Sequence, residues 1–176
     1  ELGAMVTRRG ALPPGEVVTY LRQAARALDR THAAGIVHRD LKPANLFMCR
    51  LGPDDDFVKV LDFGLVKHSD TSHARSMLTL EGVMAGTPGF MAPEIVLGKP
   101  GVDGRSDLYS LGCVAYYLLT GQHVFSGETP VATVLAHVQT PPEAPSTRTE
   151  FPISPALDGC PALAGRGLQP LAPAPA

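Results

Sequence analysis

The sequence has no tryptophan and only three cysteines, Cys49, Cys113 and Cys160, an odd number set far apart without C-x-x-C spacing. That arrangement suggests neither a disulfide framework nor a zinc site, and it points to a reducing compartment. An excess of either charge is missing as well: 15 Lys and Arg stand against 17 Asp and Glu, a formal net charge of -2 over 176 residues. Such a balance removes the electrostatic basis for a nucleic-acid or anionic-membrane partner. The longest apolar run, Leu111 to Leu119, is broken by Gly112 and is roughly half the ~20 residues that cross a bilayer, so no membrane segment and a cytoplasmic location are expected. The chain opens on Glu1 with no charged-then-apolar leader, which implies no signal peptide and a start inside a longer protein.

What is present is the material for one domain or a little more. Residues 1–12 are mixed and weakly patterned. Pro13 and Pro14 suit the first turn of a helix, and Val17, Leu21, Ala24, Ala25 and Leu28 recur at helical spacing from Glu16 to Ala34, with Gly35 placed to end it. Leu46–Cys49 and Phe57–Leu61 flank LGPDDD and read as a short hairpin. Residues 65–91, rich in Ser, Thr, Gly and Met, read as a long functional loop. Apolar residues fill most of Ser106–Thr120, with Asp107 in the first turn and Gly121 beyond the end, which predicts a buried central helix. A further amphipathic helix is expected over Pro130–Gln139. From Leu157 onward, Ala, Pro, Gly and Leu dominate with little charge, and disorder is expected there.

The chemistry concentrates in the middle of the chain. His38-Arg39-Asp40-Leu41-Lys42-Pro43-Ala44-Asn45 precedes the hairpin, and Asp62-Phe63-Gly64 follows its second strand. Folding the hairpin brings a carboxylate, an ammonium, an amide and a second carboxylate together. Phosphoryl transfer needs such a set: a carboxylate to orient a hydroxyl, a cation for the moving charge, and oxygen ligands for Mg²⁺.

HRDLKPAN, then DFG, then Ala92-Pro93-Glu94, in that order and with Asp40 and Asn45 at H-R-D-x-x-x-x-N spacing, resemble the eukaryotic-type (Hanks-type) protein kinases. GTPGFMAPE (residues 86–94) and SDLYSLG (residues 106–112) extend the resemblance, which runs from roughly Leu12 to Gln139. It implies that Asp40 is the catalytic base, that Lys42 contacts the transferred phosphate, that Asn45 and Asp62 hold Mg²⁺, and that Phe47 lies under the adenine of ATP. His38 would pack under Phe63 as a structural residue, Gly64 would permit the sharp turn after Asp62, and Asp107 would cap backbone amides of the catalytic loop. The lysine at Lys42 and the threonine at Thr87 are the forms of Ser/Thr kinases, with Thr87 touching Asp40 and Lys42. Ser76 and Thr79 fall where activation-loop phosphates occur, and Arg39 would receive such a phosphate. The wording of these motifs is similar to bacterial members. The remaining histidines, His32, His68, His73, His123 and His137, lack metal-ligand spacing and read as surface or ordinary core residues.

The implied fold is mainly α: the C-terminal lobe of the kinase fold, with a short hairpin carrying the catalytic and metal-binding loops and with no N-terminal lobe. Residues 1–152 would be a partial kinase domain, from its hinge-proximal end through helix G, and 153–176 a divergent, disordered tail. Residues 1–37 hold no lysine and no G-x-G-x-x-G, so the strand lysine and the Gly-rich loop over the phosphates are missing. Glu94 would normally pair with a buried arginine, for which Arg166 is the single candidate, in an unrelated setting. The implied activity is transfer of the ATP γ-phosphate to Ser or Thr of a protein substrate. The isolated chain is expected to be inactive and poorly stable, and its oligomeric state cannot be read. The alternatives are a non-catalytic docking or decoy module, or a degenerate kinase fragment.

Overall fold

The computed structural model describes residues 1–51, 54–63 and 87–159. Gly64, Ser76, Thr79 and Arg166 lie outside the described residues, as do His68, His73 and Cys160.

The chain opens with helix α1 (Leu2–Arg9), where the sequence shows no clear period. Leu2 and Val6, one turn apart, are both buried, and the Leu12 N–H donates to the Leu118 carbonyl at 2.8 Å. Two inward residues are too few to show as periodicity, so tertiary burial rather than pattern makes this helix.

Helix α2 (Pro14–Ala33) starts on the proline pair and turns Val17, Tyr20, Ala24 and Leu28 inward. It ends as expected: Gly35 adopts φ 74, and its N–H returns to the His32 carbonyl at 2.9 Å. A turn at Pro43–Asn45 then delivers the chain into β1 (Leu46–Leu51), antiparallel to β2 (Asp54–Val60). Leu46 pairs with Val60 and Met48 with Val58 on the face turned to the core, while Phe47 and Lys59 share the other face. The second strand begins at Asp54, before the apolar residues that mark it in sequence, because Leu51 pairs with Asp54. The hairpin is tied to α2 by Gln23, whose Oε1 accepts from the Val58 N–H at 2.7 Å.

A turn at Pro88–Phe90 and the short helix α3 (Pro93–Val96) precede α4 (Arg105–Thr120), the central helix. Twelve of its residues are buried, among them Tyr109, Val114, Tyr116, Leu118 and Leu119, as befits a helix apolar on most sides. Leu108 is the exception at 44% exposure. Helix α5 (Pro130–Gln139) is capped by Thr129, whose Oγ1 accepts from the Ala132 N–H at 3.1 Å, and it packs on α3 and the Pro88–Phe90 turn. The described chain closes with α6 (Pro155–Asp158); Ile153 and Leu157 pack against the core, and the Asp158 carboxylate accepts from Ser146 N–H and Oγ, both at 2.9 Å. Among the described residues no helix is long and apolar enough to cross a membrane.

Candidate active site

The HRD loop between α2 and β1 is anchored from below. Asp107, in the first turn of α4, is fully buried at 0% exposure. A buried carboxylate must be met by donors, and this one has several. Its Oδ2 accepts from the His38 N–H at 2.8 Å and from His32 Nε2 at 2.7 Å, and its Oδ1 accepts from the Arg39 N–H at 2.8 Å. Arg39 is held at φ 63, a left-handed conformation that costs a non-glycine residue about 1–2 kcal/mol. The charge-assisted bonds to Asp107 offset that strain and aim the following residue, Asp40.

His38 joins this loop to the second one. Its buried ring lies 4.8 Å from the Phe63 ring, tilted by 49°. Nε2 sits 2.9 Å from the Leu61 carbonyl, which can only accept, so Nε2 carries the hydrogen and Nδ1 is left to accept from the Asp40 N–H at 3.3 Å. Asn45 makes the complementary link: its Nδ2 donates to the Asp40 carbonyl at 2.9 Å, and its own carbonyl accepts from the Leu61 N–H at 2.9 Å. Leu61 is thus clasped on both sides, and the next residue, Asp62, stands exposed at φ 56 beside the HRD loop. Lys42 Nζ donates to Asp40 Oδ2 at 2.8 Å, with both side chains about a quarter to a third exposed (25% and 31%).

The structure therefore brings Asp40, Lys42, Asn45 and Asp62 around one pair of loops. Asn45 spends its NH₂ group on Asp40, which leaves Oδ1 as a hard oxygen donor alongside the Asp62 carboxylate. Among the described residues no cluster of three His, Cys, Asp or Glu forms a cage for a metal. Two oxygens from the chain, with the remainder from phosphate and water, is how Mg²⁺ is usually held, so the donor set fits that ion.

The other residues picked out from sequence fall into place unevenly. Phe47 lies half-buried on the outer face of β1. Thr87 lines a pocket of about 350 Å³ with Lys42, Phe90, Tyr117, His123 and Glu1, but no hydrogen bond joins it to Asp40 or Lys42. Among the described residues the Arg39 Nε is buried without a hydrogen-bond partner. Glu94 is half-buried rather than sequestered; Arg105, held up chiefly by its hydrogen bond to Asp103, also feels the Glu94 charge.

Two histidines read as ordinary residues have specific partners. His32 donates to Asp107, as above. His137, on the buried side of α5, has its Nδ1 2.7 Å from the Tyr109 hydroxyl and its ring 4.8 Å from Phe125. Burial pushes His137 down to about 4, with the His123 charge adding to the effect, and burial likewise raises Tyr109, so the hydroxyl donates and Nδ1 accepts. No local signal could have found either pairing, because the partners lie 75 and 28 residues away in the chain.

A carboxylate paired with an ammonium, an amide oxygen donor and a second, exposed carboxylate are the kind of polar set that phosphoryl transfer calls for. The chain belongs to the protein kinase domain family, whose model matches residues 1–156. It is 51% identical to the serine/threonine-protein kinase Pkn1 of Myxococcus xanthus over 136 residues, 77% of this chain and 19% of that protein. It is 38% identical over 159 residues to the serine/threonine-protein kinase pkn3 of the same organism, 90% of this chain and 29% of that protein. With the serine/threonine-protein kinase PknB of Mycobacterium tuberculosis it shares 37% identity over 146 residues, 83% of this chain and 22% of that protein. The chain thus spans less than a third of the length of these relatives.

Proposed function

We propose that this chain is the C-terminal lobe of a serine/threonine protein kinase, the half that presents a protein hydroxyl to the γ-phosphate of ATP. The observation that carries this reading is the clasp on Leu61, which joins the loop of Asp40 to the loop of Asp62 through His38 and Asn45. Asp40 accepts the hydroxyl proton on its carboxylate and orients the oxygen for attack. Lys42, already 2.8 Å from Asp40, neutralises charge on the phosphoryl oxygens. Asn45 Oδ1 and the Asp62 carboxylate hold Mg²⁺, which supplies charge neutralisation when bound. Phe47 contributes an apolar surface beneath the base. The Arg39 Nε, buried without a hydrogen-bond partner among the described residues, supports its reading as the cation that meets a phosphate on Ser76 or Thr79. Dependence on ATP suits a cytoplasmic setting.

Residues 1–37 lack a lysine and a Gly-rich loop, so the triphosphate has no cradle within this chain and phosphotransfer by the chain alone is absent. That same lack favours a second reading, a lobe that docks substrates without catalysis. The test is to join the upstream portion of Myxococcus xanthus Pkn1 to Glu1 and to follow label from γ-³²P-ATP into phosphoserine and phosphothreonine. Transfer that needs both Mg²⁺ and Asp40 supports the enzyme; absence of transfer by the joined protein, with substrate still bound, supports the docking module.

A further inference from the structure

We propose that His123, Tyr117 and Phe90 are specificity-determining residues, which take a large apolar side chain of the protein substrate, close to its phosphoacceptor, into the pocket beside Lys42. The inference rests on the reading of Asp40 as the group that meets the substrate hydroxyl. The pocket, of about 350 Å³, is lined by Lys42, whose Nζ is 2.8 Å from Asp40 Oδ2, and by Pro43 and Ala44, which follow it in the chain. At ~3.3 Å for each extended residue, a substrate that presents its hydroxyl to Asp40 lays a neighbour within about three positions over this pocket. The two charged side chains there, Lys42 and Glu1, do not make it a charged site. Lys42 is committed to Asp40, and Glu1 is exposed.

Three rings give the pocket its shape. His123 stacks on Tyr117, with 5.3 Å between centroids and 28° between planes, and meets Phe90 edge-on at 5.1 Å and 69°. Phe90 and Tyr117 close the set at 6.1 Å and 83°. These contacts hold the rings before a substrate arrives, so little side-chain freedom is lost when an apolar group lands on them. Partial burial holds His123 below its ordinary pKa, so at neutral pH the ring is uncharged and offers no ion pair to an acidic substrate residue. Gly89 supplies a separate observation. Its φ lies outside the left-handed region, so its conformation does not call for glycine. Space does: a Cβ there would meet His123 Nδ1 at 2.6 Å and Cε1 at 3.1 Å. The bare Cα of Gly89 is therefore the seat that sets the imidazole as a wall of the pocket, and a side chain at that position drives the ring from its place.

The experiment uses the kinase made by joining the upstream portion of Pkn1 to Glu1, with serine peptides varied one position at a time over about four residues on either side of the acceptor. At one position within about three residues of the serine, Leu, Met or Phe should raise kcat/KM by about tenfold over Gly, the scale on which an apolar pocket discriminates. His123→Asp should lower the ratio of kcat/KM for the Leu peptide to that for the Arg peptide, at that same position, by about tenfold or more. Gly89→Ala, which displaces the ring, should bring the Leu and Gly peptides within about threefold of each other. Because each ratio is taken within one variant, a general loss of folded enzyme does not move it, and should one variant fail to fold, the other carries the test. A preference for arginine in the parent would move recognition to the Glu1 carboxylate and overturn the proposal, as would ratios that neither variant changes. Transfer to no peptide at all overturns the reading of Asp40 and this inference with it, whereas transfer without an apolar preference overturns this inference alone.

Discussion

Acid should loosen this protein through one buried ring. His137 is seated between Tyr109, Phe125 and the Pro88–Phe90 turn, with its Nδ1 committed to accepting from the Tyr109 hydroxyl. Burial, helped by the nearby His123, lowers its pKa from 6.5 to about 4. Above pH 6.5 the group is neutral in both the folded and the unfolded chain, so its contribution to stability is constant. As pH falls below 6.5 the unfolded chain binds a proton that the folded chain refuses, and stability declines until the folded ring also protonates near pH 4. At about 1.36 kcal/mol for each pH unit, the full loss is about 3 kcal/mol. His123, lowered by its own burial, adds a loss of the same sign. The comparison is therefore with His137→Asn, which keeps an acceptor near the Nδ1 position and cannot titrate. Urea denaturation at half-unit steps from pH 7 to 4 should show a steeper decline in the wild type than in the variant, whatever constant offset the substitution introduces. Parallel curves would refute the reasoning.

Three further outcomes follow from the packing. Asp107→Ala frees the part-exposed His32 side chain and strands the His38 and Arg39 amides, and at about 1–3 kcal/mol for each of these two unmet amides it should destabilise the chain by about 2–6 kcal/mol in urea titrations. Leu118→Ala, in the fully buried heart of α4, should cost about 2–5 kcal/mol by the same measurement. Gly121→Ala, at φ 73 in the left-handed cap of α4, should lower stability by about 1 kcal/mol, seen as a shift of the thermal midpoint without loss of fold.

Where the chain was legible, the reason was local. Two prolines and Gly35 bracket α2, Thr129 and Pro130 open α5, and the near-continuous apolar run of α4 marks a helix buried on most sides. The order of HRD, DFG and APE pointed to the family because the three tripeptides recur there in that order at set spacing. What escaped was decided over distance. Helix α1 depends on Leu2 and Val6 finding the core and on the Leu12 bond to Leu118, none of which a twelve-residue window displays. The seats of His32 and His137 are made by α4, far along the chain, and a histidine carries no mark of which carboxylate or hydroxyl it will meet. Leu108, apolar in an apolar helix, looked like core and instead lines the cleft beside His32.

The central claim, that Asp40 is the group on which phosphotransfer turns, is tested most directly in the kinase made by joining the upstream part of Pkn1 to Glu1. Steady-state kinetics of Asp40→Asn against the parent should show kcat reduced by about 100-fold or more, the usual scale for removing a general base, with KM for ATP changed by no more than about threefold. A variant that keeps kcat within about threefold of the parent would contradict the account and move the chemistry away from this loop.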